Sequence, residues 1–80
     1  MAARLQHAPA SHTEQHLEDD ELRVQRAQRR LDRQREALAA LERAGEDAAK
    51  AKRYLLILEK ALAIHVADRD RLAKRLADRS

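Results

Sequence analysis

A chain of 80 residues in which 39% are charged, with one aromatic, one Gly, one Pro and no Cys, cannot be a disulfide scaffold or a thiolate metal site, and carries no strand signal. Its length allows one domain at most, with a core that is marginal unless the chain associates. A make-up rich in Ala, Leu, Arg and Glu reads as long helix, and the formal charge of +3 hides sharply segregated acidic and basic stretches.

Residues 1–10 hold Pro9 among scattered Ala, Arg and His with no period, which is expected of a disordered lead. The opening Met1-Ala-Ala-Arg-Leu-Gln-His lacks an apolar run of signal-peptide length, so a cytoplasmic protein is expected. Ser11-His-Thr-Glu14 fits a capping box, in which the Ser11 hydroxyl accepts from the Glu14 amide and the Glu14 carboxylate from the Ser11 amide. The first helix is therefore expected over about 12–44. Leu17, Val24, Leu31 and Leu38 recur every seven residues, with Ala27, Gln34 and Leu41 between them, giving a thin heptad seam. Leu22 lies off that seam, exposed or against a second partner.

Gly45 takes the left-handed conformation that ends a helix without steric penalty. The turn is expected at 45–47, with Asp47 as the cap of a second helix over about 48–78. Its seam runs through Ala48, Ala51, Leu55, Leu58, Leu62, His65, Arg69, Leu72 and Leu76. So short a connection forces the helices antiparallel. The expected fold is all-α, an antiparallel, coiled-coil-like helical hairpin.

The second helix is organised around residues 54–67, where only Glu59, Lys60 and His65 interrupt an apolar run. At about 100° per residue its apolar positions cover roughly 200° of arc, more than one partner helix can bury. The run is too short and too charged to span a bilayer, so no membrane partner is expected. Tyr54, Leu55, Leu58, Leu62, His65 and Leu72 are instead the expected oligomer interface. Two hairpins docked on this face would form a homodimeric four-helix bundle, and burying four half-exposed apolar side chains would contribute on the order of 1 kcal/mol each. A hairpin whose apolar face is covered by a different protein is the competing arrangement.

Folding the chain about Gly45 and Glu46 pairs residues whose numbers add to about 91. Glu14, Glu18, Asp19, Asp20 and Glu21 then fall opposite Arg69, Arg71, Lys74, Arg75 and Arg79, a charge match that sets register more than stability. Arg23, Arg26, Arg29, Arg30, Arg33 and Arg35 fall opposite apolar residues and are expected to face outward. They make a local excess of about five positive charges along less than about 20 Å of helix, a candidate anionic-ligand surface able to follow a phosphate backbone. The missing aromatic platform and the acidic neighbouring segment weigh toward a solvated face over nucleic-acid binding.

Arg33-Gln34-Arg35, Leu41-Glu42, Gly45 with Asp47, Leu55-Leu56, Glu59, and His65 followed by Asp68-Arg69-Asp70-Arg71-Leu72 together resemble a group of short uncharacterised bacterial proteins, frequent in alphaproteobacteria of the rhizobial type. The resemblance covers over half the chain. It implies a bacterial, intracellular helical hairpin and carries no particular activity. Ala48 departs from the Thr frequent in that group, and the acidic segment near the start differs as well.

His12 and His16 stand four apart, a spacing that suits zinc or nickel, but a third well-placed ligand is missing and a solvated helix start is the expected reading. His65 lies on the seam and is expected as a core histidine hydrogen-bonded to a carboxylate or carbonyl. Its alternative role is a pH switch, in which protonation puts charge into the seam. Asp68-Arg69-Asp70-Arg71 reads as an ion-paired surface or as a rim that fixes a partner, with Arg69, on the seam, requiring an acid from the first helix or another subunit. No catalytic or cofactor motif is present. The function expected is a non-enzymatic, self-associating interaction or scaffold module without metal or cofactor, with a small nucleic-acid-binding regulator as the alternative.

Overall fold

The computed structural model describes residues 11–79. The lead at residues 1–10, and the capping box, which turns on the Ser11 side chain, lie outside what is described. Two helices make up the fold, α1 over Ser11–Arg43 and α2 over Ala49–Arg79, packed against each other along their lengths. Each of the four helix ends sits one residue from the expected one. No strand occurs among the described residues.

The turn explains the topology. Gly45 has a φ of 71°, its N–H donates to the Glu42 carbonyl at 3.1 Å, and the Glu46 N–H donates to the Leu41 carbonyl at 3.0 Å. These are the paired bonds of a Schellman ending, which satisfy carbonyls that a free helix end leaves open. Two residues on, the Asp47 carboxylate accepts from the Ala49 N–H at 3.0 Å and caps α2. One helix is closed and the next opened within a handful of residues, so α2 has no path but back along α1.

The seam follows the heptad spacing on both helices. Thr13, Leu17, Asp20, Val24, Ala27, Leu31, Gln34, Leu38 and Leu41 of α1 are buried or half-buried, as are Ala48, just ahead of α2, and Ala51, Leu55, Leu58, Leu62, His65, Arg69, Leu72 and Leu76 of α2. Its centre is narrow: among the described residues only Leu31 (2% exposed) and Leu58 (7%) are buried apolar side chains. Thr13 meets Arg79, Arg35 meets Glu59 and Glu42 meets Lys52, in keeping with the register expected of a fold about Gly45.

The acidic and basic clusters face each other as the register expects, Asp20 sharing a hollow with Arg71 and Arg75, but no ion pair joins them among the described residues. The ion pairs that cross between helices among the described residues are Arg35 to Glu59 at 3.5 Å and Lys52 to Glu42 at 3.8 Å. Neither joins residues 14–21 to residues 69–79. Asp20 is buried on the seam and accepts from Arg23 one turn along its own helix at 2.7 Å. Packing of the seam holds the register, and exposed pairs of this kind add only ~0.2 to 1 kcal/mol.

Candidate interaction surfaces

Two helices in contact cover about one stripe of each other, and the apolar arc of α2 is wider than that. Leu55, Leu58, Leu62, His65 and Leu72, expected at an oligomer interface, are placed between the two helices of a single chain. Tyr54 of that set lies outside, 44% exposed, with Ile57 and Ile64, each 61% exposed, and Leu56. Three- and four-residue steps put Tyr54, Ile57, Ala61 and Ile64 in one row along α2, about 15 Å long. Leu56 points elsewhere on the helix, as the arc calculation implies.

Beside this row the hairpin has a groove of about 160 Å³ between α1 and α2, bordered by Arg23, Arg26, Ala27, Arg30, Leu58, Ala61 and His65. Ala27 and Ala61 make its floor shallow. Arg23, Arg26 and Arg30, at helical spacing, form the α1 wall. His65 thus sits on the seam but among arginines, and among the described residues it makes no hydrogen bond to a carboxylate or carbonyl, contrary to the expected partner.

The six arginines of the basic run divide by their position around α1. Arg23 is held by Asp20. Arg26, Arg29, Arg30 and Arg33 gather on the outside around one shallow hollow and make no ion pair among the described residues. Arg35 departs from the expectation that the whole run faces away from α2: it lies beside the seam and reaches Glu59, as well as Asp32 at 3.8 Å. Glu59 interrupts the apolar run on that flank and supplies the charge that turns Arg35 inward.

Arg69 bonds Asp70, its chain neighbour, through Nε at 3.1 Å and Nη2 at 3.0 Å, instead of the α1 or partner acid expected. Its position on the seam leaves it half-exposed, so water and an adjacent carboxylate suffice. Asp68 pairs with Arg71. His12 and His16 stack edge-on with ring centroids 6.1 Å apart, and among the described residues no group of three ligating side chains could hold a metal ion. No helix among them is long and apolar enough to cross a membrane.

Asp20 stands in the chain among the acids of the first turns of α1, yet the fold buries it on the seam; it falls three after Leu17 and four before Val24, the spacing of a seam position. It shares a hollow with Asp68, Arg71, Leu72 and Arg75.

Comparison with protein-family models, curated proteins and solved structures finds no match to this chain.

Proposed function

We propose that this protein is a non-enzymatic helical-hairpin module that self-associates and acts by contact with other macromolecules. The observation that carries the reading is the row Tyr54, Ile57, Ala61 and Ile64, whose large members stay exposed although the seam offers α2 a partner. Large aliphatic side chains left together in water on so small a chain are what an interface consumes. A dimer that covers this row, in the manner of a four-helix bundle, is the simplest assembly consistent with it.

Sedimentation equilibrium across a range of concentrations tests the reading. The expected result is reversible association of the wild-type chain, lost in Ile57→Asp with Ile64→Asp while helicity is retained. A wild-type chain that stays monomeric throughout would sink it.

One observation favours a second reading. Arg26, Arg29, Arg30 and Arg33 lie together and make no ion pair among the described residues, and such a stripe can neutralise successive phosphates of a nucleic acid. On that reading the affinity for a mixed-sequence duplex falls steeply with salt, and Arg29→Glu with Arg33→Glu abolishes binding. An affinity indifferent to salt would remove it.

A further inference from the structure

Two uncompensated charge clusters of opposite sign lie on α1. Arg26, Arg29, Arg30 and Arg33 make no ion pair among the described residues, and neither do Glu14, Glu18, Asp19 and Glu21. The basic cluster adjoins the groove floored by Ala27 and Ala61 and bordered on α2 by Leu58, Ala61 and His65. The acidic one surrounds exposed Leu22: Glu18, Glu21, Leu22 and Gln25 border a separate hollow on the outer face of α1. Each feature is therefore half of an amphipathic contact, one basic and grooved, the other acidic with a protruding leucine.

We propose that the groove of one copy receives the acidic first third of α1 from a second copy, with Leu22 over Ala27 and Ala61. Glu18 and Glu21 of that copy then pair with Arg26 and Arg30. The inference rests on the self-association proposed above but replaces the symmetric four-helix dimer with a heterologous docking. Three features favour this occupant. Small floor residues let a third helix approach closely, as in helix-in-groove recognition. The lengths agree, since Glu14 to Gln25 and Arg23 to Arg33 each span about 15 Å of helix. A symmetric meeting of two arginine-walled faces would instead oppose like charges, a strong penalty against that register. A lipid surface or a phosphate backbone would satisfy the arginines but would not fill a groove between helices.

Groove and acidic face are different patches, so the contact is heterologous and each added copy leaves one of each unsatisfied. Assembly is then open-ended and grows with concentration.

Charge reversal tests the docking by sedimentation velocity, with circular dichroism to verify that each variant keeps its helices. Arg26→Glu with Arg30→Glu, and separately Glu18→Arg with Glu21→Arg, should each weaken association at least tenfold. Mixing the two variants should restore it, because each then offers the other a complementary patch. Association that ignores both reversals but is lost in Ile57→Asp with Ile64→Asp overturns this docking and leaves self-association standing. Failure of the mixture to recover also overturns it. A monomeric wild-type chain whose arginines take up duplex RNA overturns both.

Discussion

Asp20 occupies a seam position that the heptad reserves for an apolar side chain, with its carboxylate turned along α1 to Arg23. Because Arg23 is largely exposed, removing its partner strands no buried charge, and a leucine would regain apolar burial. Asp20→Leu should therefore raise the thermal midpoint, by about 1 kcal/mol of stability. The turn makes the opposite case. No atom lies within 4 Å of a Cβ added at Gly45, so Gly45→Ala is opposed by its φ of 71° alone and should cost about 1 to 2 kcal/mol in denaturant unfolding. Asp47→Ala removes the α2 cap and should cost about 1 kcal/mol. Gly45 and Asp47 were legible because one residue type answers each backbone need. Asp20 was not, because the exposed acids beside it in the chain disguised its spacing.

Each helix tells a different amount about its neighbour. The thin seam of α1 has one solution, a single partner stripe, and Leu17, Val24, Leu31 and Leu38 occupy it. The wide arc of α2 has many, and the sequence alone offered no way to divide its residues between an internal and an external partner. The fold divides them: Leu58 goes inside and Ile57 stays out. The two should therefore respond oppositely to truncation. Leu58→Ala is expected to destabilise the isolated chain by roughly 2 to 3 kcal/mol, whereas Ile57→Ala should change it by less than about 0.5 kcal/mol. Thermal unfolding at a concentration too low for association checks both, and equal losses would show that the row on α2 is covered within one chain. Arg35 belongs to the same lesson, since its direction depended on Glu59 and on which flank of α2 each helix presents.

At the scale of the molecule, hairpin topology follows from a brief connection between two long helical patterns, and the antiparallel register from folding at Gly45. The route by which charges pair did not follow. Opposite clusters facing each other across the seam suggested bonds, but the formed pairs sit at Arg35 and Lys52, where side-chain reach and flank coincide. With the acids of α1 and the arginines beside them unspent, association is expected to be electrostatic in part. Raising ionic strength from about 0.01 to 1 M shortens the screening length from about 30 to 3 Å and should weaken self-association severalfold in sedimentation. A rise in association with salt would instead point to apolar burial acting alone against residual repulsion.

The contact of Arg79 with Thr13 at 3.5 Å has a mechanical consequence. It brings the start of α1 and the end of α2 to one pole, while Gly45 stands about 50 Å away at the other, the length of a helix of this size. Force applied between the start of α1 and the end of α2 would therefore act at one pole of the hairpin, peeling the helices apart from that end and leaving the Gly45 turn for last.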